Sequence, residues 1–295
     1  MTFREFCSRR EWLTTESLGD GIFLIKNPLG VEMYLVEGEE KAALLDTGLG
    51  IGELAKTVRN LTQKPVEVYL THGHVDHGGG IYGFDQVWVP EGDFELLKWH
   101  TEVDFRLDFA STYAPELREI EDIRDYMPYK DDLKLHMIRP GDRIDLGSRT
   151  LTVVNLKGHT QGSVGYYDDN TKTLFAGDGC NNSTFLFLKE SSTVVEYKEM
   201  LLRLQQKWMW KVERIMICHG YTQVPLRVVE DLLECCDTVL SGNGSKTEFI
   251  MPYAPLRNGV SLWAVDGEDQ REIVDGKFGN LIYHKPENDL QIKLC

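Results

Sequence analysis

The chain has 295 residues, 42% of them hydrophobic and 27% charged, an ordinary composition for a globular protein and length enough for a full core. Its formal net charge is −15 with the eight histidines counted as neutral. That excess repels phosphate backbones and anionic lipid, which argues against nucleic acid and membrane surfaces as partners.

The first sixteen residues, MTFREFCSRREWLTTE, hold no apolar run of signal-peptide length. No stretch approaches 18 consecutive apolar residues. The expectation is a cytoplasmic chain whose six cysteines (Cys7, Cys180, Cys218, Cys235, Cys236 and Cys295) are buried or incidental thiols. The absence of any CxxC pair disfavours a structural zinc ribbon. Strand patterns follow at Gly21–Lys26, Val31–Val36 and Ala42–Asp46, with turns at Asn27-Pro28 and Glu37-Gly38. An amphipathic stretch opens at Leu49–Gly52 and runs to about Leu61, with Leu54, Val58 and Leu61 on one helical face. Val66–Leu70 and Gln86–Val89 read as strands on either side of a glycine-rich loop.

Residues 91 to 127 are helical in pattern and carry Phe94, Trp99, Phe105, Phe109, Tyr113 and Tyr126. Strand signals return at Lys134–Ile138, Arg143–Leu146 and Thr150–Leu156. A hairpin is expected over Ser163–Ala176, turning at Asp168-Asp169-Asn170. Thr193–Trp208 and Val224–Val239 read as helices around a strand at Arg214–Cys218. The tail from about Glu248 to His284 reads as strands broken at Asn258-Gly259, Asp266-Gly267 and Asp275-Gly276. The loose alternation, in two halves of similar style and without a glycine-rich nucleotide loop after the first strand, predicts a layered α/β sandwich.

The densest chemical signal is Thr71-His72-Gly73-His74-Val75-Asp76-His77-Gly78-Gly79. Four imidazole or carboxylate groups fall within six residues, directly after an apolar strand. Both are good ligands for zinc or iron. His72 and His74 are two apart, so extended backbone sends them the same way, and the glycines let the chain turn tightly around a small cluster. Downstream, His159, Asp178 and His219 each stand beside glycine at the end of a strand pattern. Taken singly, each is a weak signal, and a lone histidine is more often a satisfied structural residue.

Together these residues resemble the metallo-β-lactamase superfamily. The resemblance rests on Leu45-Asp46-Thr47-Gly48, the HxHxDH of His72–His77, Gly158-His159-Thr160-Gln161-Gly162-Ser163, Phe175-Ala176-Gly177-Asp178 and Cys218-His219-Gly220, in that order over residues 16 to 222. It implies an αββα sandwich of two mixed sheets flanked by helices. It also implies one domain over residues 1–295, with metal motifs at 46–219, a helical insertion at about 91–132 and a strand-rich tail at about 245–295. His72, His74 and His159 would hold a first metal; Asp76, His77 and His219 a second; and Asp178 would bridge both. Asp46 would steady the loop by hydrogen bonding, although a turn or helix-capping aspartate reads the same way in sequence.

Two divalent ions, zinc ahead of iron or manganese, imply a hydrolase in which a metal-bridging hydroxide attacks the carbonyl of a small carboxylic ester, lactone or thioester. Asp76 and Asp178 would be its catalytic carboxylates, Asp76 passing a proton to the leaving group. An iron-dependent persulfide dioxygenase and a metal-bound, non-catalytic binding module are the alternatives. Asn181 stands where quorum-quenching lactonases of the superfamily usually carry tyrosine, and no single subfamily fits cleanly. Phe185, Phe187 and Tyr221, with the aromatic segment 94–129, suggest an apolar substrate pocket, although aromatics equally fill helix interfaces.

Overall fold

A computed structural model describes residues 12–119, 127, 129–242, 247–249, 262–264 and 279–284. The N-terminal stretch through residue 11, Cys7, Tyr126, the turns at Asn258-Gly259, Asp266-Gly267 and Asp275-Gly276, and Cys295 lie outside those residues. Two compact units divide the chain: residues 1–153 with 168–171, and residues 154–167 with 172–295.

The first unit is built on a seven-stranded sheet whose strands follow chain order. These are β1 Thr14–Gly19, β2 Ile22–Lys26, β3 Glu32–Glu37, β4 Ala42–Leu45, β5 Val66–Tyr69, β6 Gln86–Pro90 and β7 Lys134–Ile138. Strands β1 to β4 pair antiparallel, and β4 to β7 pair parallel. The switch follows from the connections. Short reversals such as Asn27–Gly30 join antiparallel neighbours, where Asn27 Oδ1 accepts the Leu29 and Val31 amides at 2.9 and 3.0 Å. Helical crossovers, which parallel pairs need, begin after β4 with α1 Leu54–Leu61. Strands β3 and β4 are buried on both faces, as strands in the middle of a covered sheet must be. The core here includes Ile25, Met33, Leu35, Leu44, Val58, Val68, Val87 and Leu97, drawn from β2 to β6, from α1 and from the segment after β6.

Between β5 and β6 lies the four-residue helix α2 Val75–Gly78. The aromatic segment forms α3 Phe94–His100, α4 Val103–Tyr113 and a 3₁₀ turn at Pro115–Glu119. A hairpin of β8 Arg143–Asp145 and β9 Thr150–Asn155 follows. Arg149 braces it from inside: its guanidinium donates to both Asp168 oxygens and to the Asp20 and Glu37 carbonyls, so a buried cation meets four acceptors.

In the second unit, β10 Val164–Asp168, β11 Thr173–Gly177, β13 Arg214–Ile217 and β14 Gln223–Val224 lie in the order β14-β13-β11-β10, where β10 joins the unit through residue 167. A separate four-stranded sheet runs β12-β17-β16-β15, from β12 Thr184–Phe185, β15 Thr247–Phe249, β16 Leu262–Ala264 and β17 Leu281–His284. Helix α5 Val194–Leu204 starts at a reciprocal cap: Thr193 Oγ1 accepts the Glu196 amide at 3.2 Å, and Glu196 Oε2 accepts the Thr193 amide at 2.9 Å. It gives way to a π-helical turn at Gln205–Met209, where the sequence pattern predicts a plain helix to Trp208. Helix α6 Val228–Leu240 packs with α5 on Leu156, Leu174, Ile215 and Leu281. Among the described residues no helix is long and apolar enough to cross a membrane.

Candidate metal centre

In the first unit the HxHxDH loop is held by its backbone as well as its side chains. The Gly73 amide donates to Asp93 Oδ2 at 2.9 Å, and the Val75 amide donates to His100 Nδ1 at 3.1 Å. The His74 carbonyl accepts from the His77 and Gly78 amides, closing α2. Glycine is favoured here by space. A Cβ on Gly73 would stand 3.0 Å from Asp93, and one on Gly78 would stand 2.3 Å from Leu97 Cδ1. Arg106, fully buried on α4, donates to the Gly79 carbonyl at 2.7 Å and fastens the end of the loop. Burial pushes its guanidinium down to about 10, which leaves it cationic at neutral pH.

The imidazole edges are settled by one carboxylate. Asp46, buried at a left-handed φ of 64°, accepts the Thr71 amide at 2.7 Å, the Thr71 hydroxyl at 2.7 Å and His77 Nδ1 at 2.8 Å. A carboxylate accepts only, so His77 carries its proton on Nδ1. The Thr71 hydroxyl spends its one proton on Asp46 and faces His72 Nδ1 at 3.1 Å as an acceptor, so His72 also carries Nδ1–H. Both rings therefore present an Nε2 lone pair, the ligand form of imidazole. The rings lie close: centroids are 4.0 Å apart for His72–His77 and 4.8 Å for His72–His74. His77 Nε2 is 4.0 Å from Asp76 Oδ2, whose carboxylate remains partly exposed. Tyr113 on α4 is pushed up to about 12 by burial and, secondarily, by the negative charge of Asp76.

In the second unit, His159 follows β9, Asp178 follows β11 and His219 follows β13. The pairing of β11 with β13 slips between Phe175 and Gly177, and Gly177 takes φ 52°, turning the chain just before Asp178. His159 Nδ1 faces the Phe185 carbonyl at 3.0 Å, so this ring too carries Nδ1–H and presents Nε2. Asp178 Oδ2 lies 3.8 Å from His159 Nε2 and 3.3 Å from His219 Nε2. Two ligand atoms each about 2.05 Å from one ion at a tetrahedral angle stand about 3.3 Å apart, so this spacing fits donors around a metal. Phe185 and Phe187 have ring centroids 5.1 Å apart, with Phe187 buried and Phe185 partly so. Tyr221 is half-buried against the unit's core and its amide donates to the His219 carbonyl.

Sequence reasoning missed four supports: Thr71, Asp93, His100 and Arg106. Thr71 is the first residue of the loop motif and was readable as a hydrogen-bonding side chain. The other three come from a segment read as aromatic packing, where no local spacing separates a support from a surface residue. Cys180 and Cys218 are buried thiols. Burial pushes the Cys180 thiol up to about 12, so it stays protonated at neutral pH.

The metallo-beta-lactamase superfamily model matches residues 27–189, and the chain belongs to that superfamily. An acyl-coenzyme A thioesterase MBLAC2 from Homo sapiens is 28% identical over 244 residues, covering 73% of this chain and 84% of the relative. A metallo-beta-lactamase from Pontibacter korlensis superposes with a TM-score of 0.53 at 18% identity, covering 76% of this chain and 99% of that one. The stereoselective inverting sec-alkylsulfatase Pisa1 from Pseudomonas sp. superposes with a TM-score of 0.59 at 15% identity, covering 78% of this chain and 42% of that one. The fold class is the αββα sandwich of this superfamily, and family and relatives together mark the chain as a hydrolase-class enzyme.

Proposed function

We propose that this chain is a metal-dependent hydrolase of acyl thioesters, with small carboxylic esters and lactones as related substrates. The observation that carries the reading is the set of Nδ1 contacts. Asp46, the Thr71 hydroxyl and the Phe185 carbonyl each take one imidazole edge, which supports Nε2 of His77, His72 and His159 as the atoms that would meet a metal. On the superfamily pattern, His72, His74 and His159 would hold one ion, Asp76, His77 and His219 would hold a second, and Asp178 would serve both. Relatives named as acyl-coenzyme A thioesterases favour a thioester among the carbonyl substrates.

A divalent ion such as zinc supplies, when bound, a lowered water pKa and a polarised carbonyl; iron and manganese suit the same donors. The chain's own residues do the rest. Asp76, partly exposed at the start of α2, takes the proton released by water on its carboxylate and returns it to the departing thiolate sulfur. Phe185 and Tyr221 offer apolar and phenolic surface to the acyl group, and Phe187 backs Phe185. A cytoplasmic setting suits the four described cysteines, which are all unbridged.

The test is the metal content of freshly purified protein, followed at once by a thioester, ester and lactone panel. Two zinc ions per chain with thioester turnover are expected. One iron with oxygen consumption would replace the reading with a dioxygenase, and tight metabolite binding without turnover would replace it with a binding module.

A further inference from the structure

The largest exposed aromatic side chain among the described residues stands on the second unit. Trp210 is 78% exposed, directly after the π-helical turn Gln205–Met209, and Leu202 on α5 is 47% exposed two turns earlier. Two large apolar side chains are thus exposed on one short segment.

The indole is prepared for an apolar medium. Its Nε1–H donates to the Lys207 carbonyl at 3.1 Å, so the ring carries its donor already bonded. Beside it, Lys211 Nζ lies 4.2 Å from the Trp208 ring centroid, 4.4 Å from that of Tyr167 and 6.0 Å from that of Trp210. The segment Met200–Val212 holds Arg203, Lys207 and Lys211 and no acid, in a chain where acids outnumber bases by 15. Arg203 is engaged by Glu199 at 2.8 Å, and Glu213 follows the segment as an exposed acid. Lys207 and Lys211 are the other two cations of this segment.

We infer that Trp210, Leu202, Lys207 and Lys211 form a peripheral docking surface for the headgroup layer of an anionic phospholipid bilayer. An amphipathic ring flanked by long cationic stems is the arrangement that seats at a lipid–water boundary, with the ring below the headgroups and the ammonium groups among the phosphates. A projecting side chain needs no matching pocket in a fluid surface, whereas a protein partner must supply one. The chain-wide negative charge does not forbid this. At about 0.1 M salt, charges farther than roughly 10 Å from the bilayer are screened, and the local sign decides.

The experiment is flotation of the full-length protein with vesicles of phosphatidylcholine containing about 30% phosphatidylserine, a composition that sets the anionic surface potential, against pure phosphatidylcholine. Wild type is expected to float with the anionic vesicles and to release as salt rises. Each lysine near the surface is worth about fivefold, so K207Q/K211Q should weaken partitioning about 25-fold. Trp210→Ala should weaken it by about tenfold or more. Trp210 and Lys207 are exposed and Lys211 is half-buried over the Trp208 and Tyr167 rings, and an unchanged thermal midpoint confirms that the variants fold. Wild type that stays off anionic vesicles at low salt overturns the inference, as does a W210A/K207Q/K211Q variant that floats like wild type. Retention on a polyaspartate matrix without vesicle binding would assign the surface to an acidic protein and overturn it equally.

Discussion

Replacing Asp46 by asparagine exchanges one carboxylate oxygen for an amide nitrogen and tests how the imidazoles are set. The residue sits at φ 64°, a conformation asparagine tolerates, so the backbone is undisturbed. Its carboxylate accepts three hydrogen bonds at 2.7, 2.7 and 2.8 Å. In the Asp46→Asn variant the remaining side-chain oxygen can keep the bond from the Thr71 amide. The new amide nitrogen then faces two former donors, the Thr71 hydroxyl and His77 Nδ1–H. The hydroxyl can rotate, but the imidazole accepts only by moving its proton to Nε2, the ligand atom. The loss is about 1–3 kcal/mol for a mispaired buried group. The general experience with such supporting groups is a loss of metal affinity of roughly 10–100-fold, about 1.4–2.7 kcal/mol. Competition with a chromophoric chelator should show the second ion lost first, and nitrogen-15 spectra should show the His77 tautomer change. A D46N protein that binds both ions with wild-type affinity would refute the reasoning.

His72→Ala with His74→Ala removes two imidazoles of the loop and should abolish both metal retention and hydrolysis, measured on the same preparation; full activity in the double variant would end the metal reading. Gly158→Ala places a Cβ 2.2 Å from Tyr197 Cδ2 and should cost about 1–3 kcal/mol, seen as a fall of about 2–10 °C in the thermal midpoint. An unchanged midpoint would show that Tyr197 moves aside freely. The Cys180 thiol, held at about 12 by burial, should resist aromatic disulfide reagents at about pH 8 until the protein unfolds. Cys236 is also held at about 12, mainly by burial. Folded values above the unfolded ones mean that the native state keeps protons the unfolded chain gives up, so these thiols lower stability progressively from about pH 9 upward. A midpoint that rises between about pH 9 and about pH 11 would contradict that sign.

The HxHxDH loop is legible in sequence because its donors are local: four candidate ligands within six residues, after an apolar strand whose end directs them. The strands β2 to β6 are legible for the same local reason, each an apolar run closed by a turn signal. Strand β1 is not. Thr14–Gly19 is almost wholly exposed and owes its shape to edge pairing with β2, which leaves no apolar alternation to read. The early end of α5 is equally silent, since Gln205–Met209 contains no glycine or proline to mark the widened turn. His100 and Arg106 act through contacts 25 and 27 residues away in sequence, and no spacing rule reports a contact of that kind.

One side chain joins the two ligand-bearing loops that end β9 and β11. Tyr197 on α5 lies against Gly158, the residue before His159, and its hydroxyl donates to the carbonyl of Gly179, the residue after Asp178, at 3.1 Å. Its hydroxyl also meets Thr184 Oγ1 at 3.2 Å, beside the Phe185 carbonyl that orients His159. On the proposed reading, in which these loops hold a metal, the tightness of α5 and the grip on that metal are thermodynamically coupled. Metal in excess over its dissociation constant by about 100-fold adds about 2.7 kcal/mol to the folded state. The same coupling, run backward, makes chelation a softening of this helix, so hydrogen exchange along Val194–Leu204 becomes a gauge of how full the centre is.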